Sequence, residues 1–152
     1  MFKIFELNYR EFPYVDIKIG EWCTAACTDC RYNINYLKTV KQYSFENIKK
    51  RIEKFDELFD KKFNIVFGNQ DIINHNEIFK ILDFATKYGR EVRVQTNFLL
   101  TQNHIELLNI IEKKYKNVSI KIAQNTRDIK NININLLNLL KIFTSNVSLK
   151  LY

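Results

Sequence analysis

Residues 15–32 read VDIKIGEWCTAACTDCRY, an alternating run that empties into three cysteines. Val15, Ile17 and Ile19 alternate with Asp16 and Lys18, the period-two pattern of a strand with one buried face, so Tyr14 to Ile19 is predicted to be a strand. Cys23, Cys27 and Cys30 follow with the spacing C-x3-C-x2-C and are all the cysteine in the chain. Three thiolates in so tight a loop fall within reach of one small inorganic centre, because the loop can wrap a cubane of iron and sulfide and offer a sulfur to each of three irons. The fourth iron would have no local ligand, and a metal with three protein ligands keeps a position open for chemistry.

Beyond this stretch the chain alternates strands and helices. A short strand is predicted near Phe2 to Leu7. Ser44 reads as an N-cap, and Phe45, Ile48, Ile52, Phe55 and Phe59 recur on one helical face. Phe63 to Phe67 is then predicted as a strand running into Gly68, and Asn76 to Tyr88 as a helix with Gly89 at its C-terminal turn. The unit repeats: strand Glu91 to Thr96 and helix Gln102 to Tyr115, strand Asn117 to Ile122 and helix Asn133 to Phe143, then a last strand from Val147 to Leu151. From Phe63 onward the units recur roughly every 26 to 30 residues, the rhythm of βαβ crossovers and hence of a parallel sheet with right-handed connections.

Covered parallel strands usually read as unbroken apolar runs, whereas these alternate. If Val15, Ile17, Ile19, Val92, Val94, Val118, Ile120 and Ile122 pack under the helices, then Asp16, Lys18, Arg93, Gln95, Ser119, Lys121 and Lys150 face the other way. Curled into a part-barrel, such a sheet would have a wet, charged interior suited to a polar ligand. The plainer reading is a sheet with one face open to solvent. The cysteines follow the first strand directly, and parallel α/β folds place their sites at the C-terminal ends of strands, which favours the interior.

The chain of 152 residues has the length of one domain with one core, and its hydrophobic content of 46% suits a globular protein. No stretch approaches an unbroken membrane span. Lys3, Glu6 and Arg10 interrupt the first apolar positions, so no signal peptide is expected and the cytoplasm is the expected location. In that reducing compartment three clustered thiols read as metal ligands rather than disulfide partners. A net charge of +7 would suit an anionic ligand, a nucleic acid or an acidic protein. The basic residues are nevertheless dispersed, as at Lys49, Lys50, Arg51 and Lys54, which is the usual pattern of a solvated helix face and argues against nucleic-acid binding.

At its cysteines the sequence resembles the radical S-adenosylmethionine (SAM) superfamily, whose signature is this same spacing after the first strand of a partial α/β barrel. The resemblance implies a single domain over residues 1–152, a partial parallel (β/α) barrel of about five strands and four helices that lacks the family's sixth strand. It implies an oxygen-sensitive 4Fe-4S cluster on Cys23, Cys27 and Cys30, with SAM chelating the unique iron. An electron from the reduced cluster would cleave the sulfonium and release a 5′-deoxyadenosyl radical that abstracts hydrogen from a substrate. A flavodoxin or ferredoxin would donate that electron, and the exposed edge of the last strand would take a protein partner or a second copy.

Further resemblance lies at Gly68-Asn69-Gln70-Asp71, where the family carries a Gly-Gly-Glu-Pro-like motif contacting the SAM amino group. Gln70 stands in place of the acid, and Asp71 is placed to compensate. Thr96-Asn97 falls where Thr-Asn-Gly is common, with Phe98 in place of the glycine. Lys121 falls where a smaller polar residue faces the ribose, and Asp29 stands where an aromatic often packs near the adenine, leaving Trp22 or Tyr32 to supply a ring. Two other readings stand beside the enzyme. Gln70, Asp29 and the missing strand suit a shortened relative that binds a cluster or a partner without cleaving SAM. Three cysteines joined by His75 or His104 would suit a structural zinc site, although both histidines also read as polar residues at helix starts.

Overall fold

The computed structural model describes residues 13–21, 41–60, 62–68, 72–97, 101–124 and 147–151. Within them the fold is α/β. Strands β1 (Tyr14–Asp16), β4 (Asn64–Phe67), β5 (Val92–Asn97), β6 (Val118–Gln124) and β7 (Val147–Leu151) form one sheet in that spatial order, every neighbouring pair parallel. Three helices connect or precede them: α1 (Phe45–Phe59), α2 (Ile78–Tyr88) and α3 (Gln102–Lys114). A second, two-stranded antiparallel sheet pairs β2 (Gly20–Glu21) with β3 (Lys41–Gln42). The predicted strand near Phe2 and the predicted helix from Asn133 lie outside the described residues.

The alternation resolves as expected. Val15, Ile65, Phe67, Val92, Val94, Val118, Ile120 and Ile122 are buried with Ile48 and Ile52 of α1, Ile81 and Leu82 of α2, and Ile105, Leu108 and Ile111 of α3 in one apolar cluster. Asp16 is exposed, and Arg93, Gln95, Ser119 and Lys121 on the opposite face are half-buried.

The predicted boundaries shift where long-range pairing intervenes. The strand predicted to reach Ile19 ends its ladder at Asp16, because after one last bond from the Ile17 N–H to the Val66 carbonyl (2.9 Å) the chain turns away to pair with β3. Helix α2 begins at Ile78, not Asn76, since residues 72–74 form a 3-10 turn first. Gly89 follows α2 as expected, yet its φ of −79° is ordinary. What requires glycine there is space: a Cβ would lie 3.0 Å from the Ile65 Cδ1 and 3.1 Å from its Cγ1. The left-handed helix end belongs to Asp60 (φ 49°), which closes α1 with its N–H on the Asp56 carbonyl at 2.8 Å.

Candidate functional site

Cys23 lies two residues beyond Glu21 in the chain, and the cysteines, with Asn69, Gln70 and Asp71, are outside the described residues. The structure does describe what holds the ends of the cysteine segment. The Gly20–Gln42 and Glu21–Lys41 pairs bring its two ends together, directly after β1. Tyr43 extends the closure: its N–H donates to the Ile19 carbonyl at 2.9 Å and its hydroxyl to Glu21 Oε1 at 2.8 Å. That hydrogen bond is the main reason the Glu21 carboxyl is held below its ordinary pKa. Arg51 of α1 adds a bond to the Lys18 carbonyl at 2.9 Å while its guanidinium stacks 4.5 Å from the Tyr43 ring centroid.

This closure is joined to the turn that follows β4. His75, only 4% exposed, receives the Glu77 N–H on Nδ1 at 3.1 Å, which leaves its proton on Nε2 to be donated to the Tyr43 carbonyl at 2.9 Å. Gln42 bridges to the same turn twice, its Nε2 donating to the Asn74 carbonyl (3.1 Å) and its Oε1 accepting from the Asn76 N–H (3.3 Å). Glu77 Oε2 accepts the Phe45 N–H at the start of α1 (3.1 Å), and its Oε1 takes the Lys80 ammonium (2.9 Å), the largest cause of its lowered pKa. His104 ties in α3, accepting the Thr101 N–H on Nδ1 (3.1 Å) and donating from Nε2 to Asn74 Oδ1 (2.9 Å). Both ring nitrogens of both histidines are therefore engaged within the fold.

On the polar face of the sheet the register makes two rows. Asp16, Val66, Arg93 and Ser119 lie side by side, and Gln95 pairs with Lys121 one step nearer the C-terminal ends. Gly68 packs closely beside them: a Cβ there would lie 3.0 Å from Val66 Cγ1, 3.6 Å from Gln95 Oε1 and 3.8 Å from Asp16 Oδ2. Two oxygen acceptors, Gln95 Oε1 and Asp16 Oδ2, thus lie close beside Gly68, and Lys121 pairs with Gln95 on the neighbouring strand. Below these rows Glu91 gathers donors from β1, β5 and β6. Its carboxylate accepts from the Tyr14 hydroxyl (2.8 Å) and the Ser119 hydroxyl (2.7 Å), and faces the Arg93 guanidinium at 3.4 Å. Arg93 also donates to the Tyr14 hydroxyl (2.9 Å). Burial raises the Glu91 pKa, but these hydrogen bonds and the Arg93 charge outweigh it and hold the carboxyl below its ordinary value.

Of the residues singled out from sequence, Gly68 and Lys121 come to this polar face. Thr96 does not: it shares the helix-covered side with Val92 and Val94 and is 2% exposed, and Asn97 follows as the last residue of β5. Gln42, Tyr43, Glu77 and Glu91 were not legible as partners in the sequence. Glu91 alone carried a signal: as the first residue of the predicted strand it lies two residues before Arg93 and so on the same face. Among the described residues no group of three or more His, Cys, Asp or Glu side chains is placed to hold a metal ion, and no helix is long and apolar enough to cross a membrane. No family model matches the chain, and comparisons with curated proteins and with solved structures return no significant similarity.

Proposed function

We propose that the chain is a small radical SAM enzyme, with Cys23, Cys27 and Cys30 as ligands of a 4Fe-4S cluster. The observation that carries the proposal is the joining of motif to frame: a C-x3-C-x2-C segment whose ends are closed by the β2–β3 pairing at the C-terminal end of β1 in a parallel α/β sheet. The donor chemistry also fits. Three thiolates without a fourth nearby ligand suit a cluster with one open iron. Both histidines are engaged in hydrogen bonds, which disfavours the zinc site that would need one of them. The Asp16 and Gln95 oxygens beside Gly68, with Lys121 on the next strand, would offer acceptors for the ammonium and a cation for the carboxylate of an amino acid moiety such as SAM carries. In this reading Asp16 takes part of the role that Gln70 is too weak to fill.

When bound, cluster and SAM supply the reductive cleavage and the radical for hydrogen abstraction. The chain's own residues bind and orient: the cysteines hold iron, Asp16 and Gln95 receive the amino group, and Lys121 receives the carboxylate. The net charge of +7 suits an acidic flavodoxin or ferredoxin as electron donor, and a protein partner or second copy would add to the outer edge of β7. Gln70 and Asp29 also sustain a second reading, a relative that binds a cluster without cleaving SAM.

Anaerobic reconstitution with iron and sulfide, followed by reduction, tests both. A SAM-induced change in the cluster's EPR spectrum with formation of 5′-deoxyadenosine is expected. Cluster formation without either would favour the second reading, and retained zinc with no iron uptake would overturn both. Cys27→Ala should lose the cluster, whereas His75→Ala should keep it; a cluster retained by the cysteine variant would refute the ligand assignment.

A further inference from the structure

We propose that the flank of the molecule formed by α1 and the β2–β3 pairing is a docking surface for an acidic protein. Its anchor is the Tyr43 ring, which carries the Arg51 guanidinium at 4.5 Å and the Lys41 ammonium at 5.8 Å from its centroid. Lys18, 45% exposed, lies 3.7 Å from Glu21 Oε1, the atom that the Tyr43 hydroxyl holds. From Arg51 the surface continues along α1. Asn47, Arg51, Lys54 and Leu58 recur at helical spacing on one face, outside the buried stripe of Ile48 and Ile52. Asn47, Lys54 and Leu58 are exposed, Leu58 at 67%. By the same spacing Glu46, Glu53 and Asp56 fall on other faces, and Lys49, which pairs with Glu53, reaches the Phe84 ring of α2. Of the acids of α1 only Glu57 comes beside the stripe, three residues from Lys54. Lys18, Lys41, Arg51 and Lys54 therefore stand against Glu21 and Glu57 alone, and the surface is net basic.

The make-up of this surface favours a protein over a nucleic acid. Tyrosine and arginine are the residue types that most often carry binding energy at protein interfaces, and Leu58 gives a partner an apolar contact within the basic stripe. Glu21, set among the cations, would repel a row of phosphates, whereas a protein can place a basic side chain against it. The excess of positive charge calls for carboxylates on the facing surface, which would also speed encounter at low salt. In the proposed function that acidic protein is the flavodoxin or ferredoxin that reduces the cluster, and the inference rests on that reading for the partner's identity alone. Arg51 is left unaltered in the test because it also holds the Lys18 carbonyl.

The test measures the binding of oxidised flavodoxin to the purified full chain by isothermal titration calorimetry, at low and at physiological salt. Lys41→Gln, Lys54→Glu and Leu58→Ala should each weaken binding roughly three to ten times, the scale of one lost interfacial contact, and Lys54→Glu should also flatten the salt dependence. Lys116→Glu makes the same charge change on an exposed residue beyond α3 and should stay within about twofold of the natural protein. Equal weakening by Lys116→Glu would overturn the surface and leave net charge as the cause. Absence of binding to flavodoxin and to ferredoxin would overturn it too, as would a single-stranded oligonucleotide that binds more tightly with the same response to the variants. If Lys41→Gln does not fold, Lys54→Glu and Leu58→Ala, both exposed within one helix, decide alone. Failure of the reconstituted natural protein to form 5′-deoxyadenosine with dithionite as reductant would defeat the functional proposal and leave the binding result standing.

Discussion

Glu91, the residue before β5, draws together Tyr14 from β1, Arg93 from β5 and Ser119 from β6, reaching past β4 to β1. Because its folded pKa is depressed, the ionised carboxylate contributes stability above the unfolded-state value near 4.5, and that contribution is lost as pH falls through the folded value. The difference in unfolding free energy between the natural protein and Glu91→Gln should therefore shrink on acidification below about pH 4.5. Chemical denaturation across that window checks it, and a constant difference would contradict the assignment. Asp16 allows a test of a different kind. If its carboxylate receives an ammonium beside Gly68, Asp16→Asn should weaken SAM binding about tenfold, the scale of a charge-assisted hydrogen bond. Equilibrium dialysis against SAM reads the affinity, and an unchanged value would remove Asp16 from the site. The sequence indicated the face these residues occupy through its alternation; that Glu91 is their meeting point depended on the register of strands far apart in the chain.

Helix α1 has two caps of different origin. Ser44, in extended backbone geometry, accepts the Asn47 N–H, as its position before the helical repeat led one to expect. The second cap comes from Glu77, which begins α2 but does not cap its own helix and instead takes the Phe45 N–H. Such a contact spans 32 residues and leaves no trace in local sequence. Ser44→Ala should cost about 1 kcal/mol in a denaturant titration, since the Glu77 contact preserves part of the cap. Between α2 and β5, Gly89 admits the chain past Ile65. Gly89→Ala places a methyl against that fully buried side chain and should cost roughly 1–3 kcal/mol, although its backbone angles suit alanine. The same substitution leaving stability unchanged would show that Ile65 can give way.

All three described helices share one apolar cluster with one face of the sheet, so the described residues are held around a common core. Phe67, fully buried in β4 beside the turn that carries His75, should cost about 3–5 kcal/mol when replaced by alanine. Leu58, 67% exposed, should cost no more than about 0.5 kcal/mol. Thermal unfolding of both variants, read by far-ultraviolet circular dichroism, checks the contrast. A comparable loss in each would mean that the α1 surface near Leu58 is covered in solution.

Period and punctuation in the chain sufficed for the succession of the main described strands and helices, for which strand face is apolar, for the cap at Ser44, and for a cysteine segment that follows the Tyr14–Ile19 run. Those features are local: they depend on side chains a few residues apart along one element, where backbone geometry sets the spacing. The pairing of Gly20 and Glu21 with Gln42 and Lys41, the union of Tyr43, His75 and Gln42 in one hydrogen-bonded network, the crowding of Asp16 and Gln95 around Gly68, and the placing of Thr96 on the covered face all came from the folded chain. These features require contacts between segments tens of residues apart, and strand order, register and parity bring those segments together only once the sheet has formed.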